Sequence, residues 1–161
     1  MPATTTTTPQ QETVETMTIM REIEIDAPID VAFQAVLDEL GPESQMPGGA
    51  PLPLKLEAWP GGRWYRDLGN NAGHLWGHVQ VIKPPGLLEL CGPMAMSYPA
   101  VNHIQYRLTP ESGKTRLKLT HKSIGQIPTE HREGMPEGWE QWLRSIRELA
   151  EQRASGRGKR Q

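Results

Sequence analysis

Between residues 54 and 123 the sequence alternates apolar and polar side chains, and short runs rich in Gly, Pro, Asn and Ser interrupt the alternation. A period of two is typical of strands that bury one face, and the interruptions are turn signals. The pattern therefore predicts an antiparallel meander of short strands joined by tight turns. We expect these strands at about 54–59, 63–68, 74–82, 87–91, 101–109 and 115–123.

Two helices and one further strand complete the predicted architecture. The segment MTIMREIEID alternates like a strand, Pro28 opens a helix, and Gly41 and Pro42 end it. After the meander, a long helix over 136–152 carries an apolar stripe at helical spacing. The stripe comprises Met135, Trp139, Trp142, Leu143, Ile146, Leu149 and Ala150. This order predicts an α+β fold in which a curved antiparallel sheet wraps around the long C-terminal helix and leaves a cavity between them.

Composition limits the extent of the domain and the class of partner. Residues 1–16 are rich in Thr and predict a disordered tail, 17–153 form the domain, and 154–161 predict a basic, flexible tail. A net charge of -2 argues against a nucleic-acid partner. The single cysteine, Cys91, and the lack of a long apolar run or signal segment favour a soluble cytoplasmic protein with no membrane partner.

The segment GGRWYRDLGNNAGHLWGH concentrates aromatic and basic side chains in one predicted hairpin. A turn over 69–73 would place Arg66 opposite Trp76 and Trp64 opposite His78, with all four on one face. Such a face is typical of a pocket wall, in which indoles offer flat apolar area and polar groups orient a ligand. A surface cation–π pair between Arg66 and Trp76 is the alternative. The opposite face would carry Arg63, Tyr65, Asp67, Leu75 and Val79.

The last two predicted strands form a second hairpin with an apolar inner face. Pairing Leu108 with Leu117 directs Tyr106 and His121 toward the closing helix. We therefore expect Tyr106 and His121 to contribute to the pocket, together with Trp142 from the helix.

No pattern predicts a catalytic residue, a metal site or a cofactor. His74 and His78 are four residues apart on a predicted strand, about 13 Å, which is too far for two ligands of one zinc ion. Cys91 ends a predicted strand, and we interpret it as a small buried side chain. The sequence contains neither a Gly-x-Ser-x-Gly nucleophile motif nor a phosphate-binding loop. Acid–base chemistry by a His or Glu in the cavity stays open as an alternative.

Five segments carry a family resemblance over nearly the whole of 17–153. They are IEIDAPIDVAFQAV, EAWPGGRW, GHVQVIKPPGLLEL, YRLTPESGKTRLKLTH and GWEQWLRSIREL. With these segments the chain resembles the helix-grip (START/Bet v 1-like, SRPBCC) superfamily, and within it the branch related to the C-terminal domain of the Hsp90 ATPase activator. Many relatives carry a Trp after the first helix, whereas this chain has a Gly- and Pro-rich loop around Met46. We therefore expect a different pocket entrance.

The resemblance implies a domain that binds apolar or amphipathic small molecules, because members of this superfamily bind or process many such molecules. It also allows two alternatives, a cyclase- or dehydratase-like enzyme acting on a bound cyclic substrate and an Hsp90-cochaperone-like domain with a chaperone-type protein partner. The candidate ligand-binding residues are Trp64, Arg66, Trp76, His78, Tyr106, His121 and Trp142.

Overall fold

The computed structural model describes residues 3–159, and in this part of the chain seven strands and two helices form one α+β unit. The elements are β1 Glu15–Ile25, α1 Ile29–Glu39, β2 Lys55–Leu56, β3 Arg63–Gly69, β4 Ala72–Lys83, β5 Leu87–Gly92, β6 Ala100–Glu111, β7 Lys114–Gly125 and α2 Thr129–Lys159. The strands form a single sheet in the order β1-β7-β6-β5-β4-β3-β2, and all neighbouring strands are antiparallel.

The long helix α2 closes the concave side of the curved sheet. Its apolar stripe buries Trp139, Leu143, Ile146 and Ala150, and α1 packs beside it. The strand β1 precedes α1 in the chain but pairs with β7, so that the first and last strands lie side by side. This arrangement confirms the predicted helix-grip fold, in which a curved antiparallel sheet wraps around the C-terminal helix.

The two helices begin in the same way. The carbonyl oxygen of Pro28 accepts the first hydrogen bond of α1 from the Ala32 N–H at 3.0 Å, so Pro28 is the N-cap, one residue before the first helical position that the sequence indicated for it. The carbonyl oxygen of Pro128 accepts the corresponding bond of α2 from Arg132, also at 3.0 Å. The helix α2 therefore starts before the predicted position 136, and Pro136 lies inside it.

The register of the β6–β7 hairpin is as predicted. Leu108 pairs with Leu117, and alternation continues without a bulge along both strands. Side chains of one parity therefore point into the core along the whole hairpin. The buried inner face comprises Ile104, Tyr106, Leu108, Leu117, Leu119 and His121.

The other predicted boundaries differ from the structure at three places. The strand β2 covers two residues rather than 54–59, because the chain turns where the Trp59 N–H donates to the Glu57 carbonyl oxygen at 2.9 Å. The strand β1 begins at Glu15, inside the predicted tail, and α2 continues to Lys159, past the predicted domain end at Arg153. Regular structure therefore extends beyond the predicted domain on both sides.

The predicted tails are only partly described. Residues 3–14 are exposed and have no regular secondary structure, and their disorder stays a prediction. Residues 1–2 and 160–161 lie outside the described residues. Among the helices in the described part of the chain, none is long and apolar enough to span a membrane.

Candidate functional site

A cavity of about 510 Å³ lies between α2, the β3–β4 hairpin and the loops at 45–52 and 94–95. Three indoles line it, and we call it the tryptophan cavity after Trp76, Trp139 and Trp142. Its volume is in the range of pockets that enclose a small organic molecule. Further apolar side chains of the lining are Met46, Pro47, Leu52, Met94, Ala95 and Met135. The uncharged polar side chains of the lining are Gln45, Gln141 and Ser145.

The indoles of the wall pack against one another. The ring centroids of Trp139 and Trp142 are 5.2 Å apart, and those of Trp76 and Trp142 are 6.4 Å apart. Trp64 does not line the cavity but packs edge-on against Trp76 at 5.1 Å. Its buried Nε1–H donates to the carbonyl oxygen of Leu40 at 2.8 Å, which fixes the indole between the sheet and the end of α1. Trp64 thus supports the wall rather than forming its surface.

The predicted register of the β3–β4 hairpin is wrong for two reasons. The turn is shorter than the predicted loop over 69–73, since Gly69 already pairs with Ala72, and a β-bulge interrupts β4. Trp64 pairs with Gly77, whereas the next residue of β3 skips one position of β4, which makes Trp76 an extra residue. Trp76 and Gly77 are therefore both buried, and the alternation beyond them is reversed. His78 is exposed instead of lining the pocket, and Val79 is buried although the sequence placed it on the outer face.

The open edge of the cavity carries two basic side chains. Arg66 pairs across the strands with His74 rather than with Trp76, and both side chains line the cavity. Arg66 is exposed and His74 is half-buried. The alternative pair of Arg66 on the Trp76 ring is not formed among the described residues, where Arg63 instead stacks 4.6 Å over Tyr65.

The buried imidazole of His121 ties α2 to the sheet. The Nε1–H of Trp139 donates to Nδ1 of His121 at 2.9 Å, so the ring proton is on Nε2, which donates to Oδ1 of Asn102 at 2.7 Å. The hydroxyl of Ser123 donates to the same oxygen. Burial lowers the pKa of His121 to about 4, so the ring is neutral near pH 7. His121 therefore has a structural position behind the tryptophan cavity and does not line it.

Asn102 extends this hydrogen-bonded network to the cavity. Its Nδ2 donates to the carbonyl oxygens of Gly92 at 3.2 Å and Pro93 at 3.3 Å, next to the Met94 that lines the cavity. Asn102 and Ser123 were not among the residues predicted from the sequence. The alternation of β6 and β7 nevertheless indicated them, because both residues occupy inward positions, where a polar side chain needs a hydrogen-bond partner.

Tyr106 and Glu39 lie close together in the core, away from the cavity. Tyr106 is fully buried, and its ring centroid lies 6.2 Å from that of Trp139. Its hydroxyl has no hydrogen-bond partner among the described residues. Burial, reinforced by the charge of Glu39, raises the pKa of Tyr106. Burial, with a further contribution from Glu43, raises the pKa of Glu39 to about 7. Glu39 was not among the residues predicted from the sequence, although it falls at i+3 from Val36 on the apolar face of α1.

The structure brings three of the seven predicted site residues to the cavity, namely Arg66, Trp76 and Trp142. It places Trp64, Tyr106 and His121 behind the lining in the core and His78 on the outer face. His74 was not singled out, although it has the same parity as Trp76 in β4, and the short turn of the hairpin places it opposite Arg66. Trp139 was assigned to the core by its helical spacing, and it both belongs to the core and lines the cavity.

The Gly- and Pro-rich loop after α1 forms one side of the cavity. Met46, Pro47 and Gly48 line it, and the Nε1–H of Trp142 reaches the carbonyl oxygen of Gln45 at 3.4 Å. The loop around Met46 therefore lies at the cavity, and the predicted difference of the entrance from that of relatives stays a prediction.

Comparison with known proteins gives a family and a fold. A family model described as activator of Hsp90 ATPase homolog 1-like protein matches residues 26–151. No curated protein matches the chain. Several solved structures match over most of their length. An uncharacterised protein from Rhizobium leguminosarum is 17% identical, with a TM-score of 0.67 and coverage of 87% of this chain and 97% of that chain.

Two further structures are similar. The protein Mll3558 from Rhizobium loti is 20% identical, with a TM-score of 0.67 and coverage of 86% of this chain and 99% of that chain. CalU16 from Micromonospora echinospora is also 20% identical, with a TM-score of 0.57 and coverage of 86% and 87%. At this level of identity, the similarity shows the fold alone.

Proposed function

The chain belongs to the family of activator of Hsp90 ATPase homolog 1-like proteins, and from this premise we propose that it binds an apolar or amphipathic small molecule in the tryptophan cavity. The observation that carries the proposal is the cavity itself, about 510 Å³ with three indoles in its wall. Flat aromatic surfaces contribute binding energy through burial and stacking, while a few polar groups orient the ligand.

The position of the wall in the fold supports the same proposal. Trp76 is the extra residue at the bulge in β4. Trp139 and Trp142 belong to the helix that closes the sheet. Because Trp64 and His121 hold two of these indoles from behind, the wall is formed before a ligand arrives. A preformed wall lowers the entropic cost of binding.

The contacts in this proposal are Arg66, Trp76 and Trp142 from the sequence analysis, together with His74 and Trp139. The finer alternatives, a cyclase- or dehydratase-like reaction and a chaperone-type protein partner, stay predictions. So does the cytoplasmic location.

The proposal is tested by titrating the protein with a fatty acid, a flavonoid and a fused-ring aromatic compound while tryptophan emission is recorded. We expect at least one of these probes to change the emission and to bind in calorimetry. Trp76→Ala should then weaken binding by about 1–3 kcal/mol, because it removes a buried aromatic contact. Trp59→Ala is the matched control, since Trp59 is 57% exposed and does not line the cavity. Equal affinity of the wild type and Trp76→Ala would contradict the proposed site.

A further inference from the structure

The described lining of the tryptophan cavity is charged at one edge only, and the charge is basic. Arg66 and His74 are its ionisable side chains, and no Asp or Glu is among the described lining residues. A cationic group beside an apolar enclosure favours a ligand that is anionic at one end and apolar at the other.

The guanidinium of Arg66 is free to take a ligand. Among the described residues it has neither an ion pair nor a side-chain hydrogen bond. Two acids close to it in sequence, Asp67 and Glu57, are already engaged. Asp67 pairs with Lys55 at 3.0 Å, and Glu57 pairs with Arg63 at 2.8 Å. Their charges are therefore compensated without Arg66.

The hairpin geometry directs both basic groups to one point. Arg66 and His74 are direct cross-strand partners, and side chains in such a pair project from neighbouring positions of one face. Trp76 follows His74 on that face, with ring centroids 6.4 Å apart. A group bound between the Arg66 and His74 side chains would therefore lie beside the indole wall.

We infer that the ligand of the tryptophan cavity is a planar apolar carboxylate. Its carboxylate binds Arg66 and His74 at the open edge, and its ring system lies against Trp76 and Trp142. The guanidinium offers two parallel N–H donors that match a carboxylate, and the imidazole offers a further N–H. This inference rests on the proposed function and adds the charge and orientation of the ligand.

The test compares two probes of the same shape, 2-naphthoate and its neutral amide, 2-naphthamide, by calorimetry on the full chain. We expect 2-naphthoate to bind the wild type about tenfold or more tightly than 2-naphthamide, because only the carboxylate carries a negative charge and two acceptor oxygens that can pair with the guanidinium. Arg66→Gln should remove most of the preference for 2-naphthoate, with His74 left as its remaining polar contact, and should leave the affinity for 2-naphthamide unchanged. Raising the ionic strength should weaken the binding of 2-naphthoate and leave the binding of 2-naphthamide unchanged.

Arg63→Gln is the matched control. It changes the net charge by the same amount on the same strand, but Arg63 does not line the cavity, so affinity for both probes should stay at the wild-type level. Should Arg66→Gln fail to fold, Arg66→Lys keeps the charge without the paired donors and should give an intermediate affinity for 2-naphthoate.

The outcomes separate this inference from the proposed function. Equal affinity of the wild type for both probes, or an equal loss in Arg63→Gln and Arg66→Gln, would overturn the carboxylate assignment and leave a neutral-ligand site standing. Binding of neither probe, with no response to any compound of the emission titration, would overturn the proposed function and this inference together.

Discussion

Replacing Glu39 by Gln should change how the free energy of unfolding depends on pH. Glu39 ends α1 with 6% exposure, and its Oε2 has no hydrogen-bond partner among the described residues. Burial, with a smaller contribution from Glu43, raises its pKa from an ordinary value of 4.5 to about 7. His121 is shifted in the opposite direction, because burial lowers its pKa from 6.5 to about 4.

The two groups act on stability with opposite signs. The folded protein keeps the Glu39 proton up to about pH 7, whereas the unfolded chain loses it near pH 4.5. The contribution of Glu39 to the free energy of unfolding is therefore lost as pH rises between those values. The unfolded chain protonates His121 below about pH 6.5, whereas the folded protein resists until about pH 4, so this contribution is lost as pH falls. Between about pH 4.5 and pH 6.5 the two groups change the free energy of unfolding in opposite directions, so their effects largely cancel in the wild type.

Glu39→Gln removes one of these slopes, because an amide has the shape of the protonated acid and cannot ionise. With the shift of Glu39 to about 7, the Glu39 contribution changes by roughly 2 kcal/mol between about pH 5 and about pH 7. The variant should therefore gain about that amount relative to the wild type as pH rises over this range. Subtracting the two curves cancels the contribution of His121.

Urea denaturation of both proteins across this range measures the difference directly. The control is Glu137→Gln, which removes an exposed acid from α2 and should shift the curve by a constant amount. If the difference between Glu39→Gln and the wild type varies by less than about 0.5 kcal/mol across the range, Glu39 is not held protonated by burial.

Two further predictions concern the framework of the cavity. Gly77→Ala should lower the free energy of unfolding by roughly 1–3 kcal/mol, because the added Cβ would lie 2.7 Å from the Cys91 carbonyl oxygen. The control is Gly134→Ala, which lies at an open helix position and should be neutral or stabilising. A stable Gly77→Ala in thermal denaturation would refute the close packing at the bulge. Trp139→Phe should cost about 1–2 kcal/mol in urea denaturation by leaving Nδ1 of His121 without its donor, and unchanged stability would speak against that hydrogen bond.

How much could be read from the sequence depended on whether a strand kept its period. In β6 and β7 apolar residues recur at every second position without interruption, so pairing Leu108 with Leu117 correctly placed Tyr106 and His121 inside. In β4 the bulge adds one residue between Leu75 and Gly77, and one extra residue reverses every later side chain. The error at His78 follows from that single position.

The candidate site could be predicted only in part, for a related reason. Helical spacing correctly indicated that Trp139 and Trp142 face inward, but spacing does not say where a gap remains between helix and sheet. The loop around Met46 has no period at all, and its approach to the cavity depends on tertiary contacts such as that between Trp142 and Gln45. Helical spacing puts Glu39 on the apolar face of α1, but the extent of its burial arises from packing around the end of that helix.

The central claim, a ligand held by the tryptophan cavity, is tested most directly by following the indole N–H signals of the five tryptophans in ¹H–¹⁵N NMR spectra while 2-naphthoate is added. We expect the signals of Trp76, Trp139 and Trp142 to move in a saturable way, because these rings line the cavity. The signal of the exposed Trp59 should stay in place. Saturable movement confined to Trp59, or no movement of any indole signal, would contradict binding in the cavity.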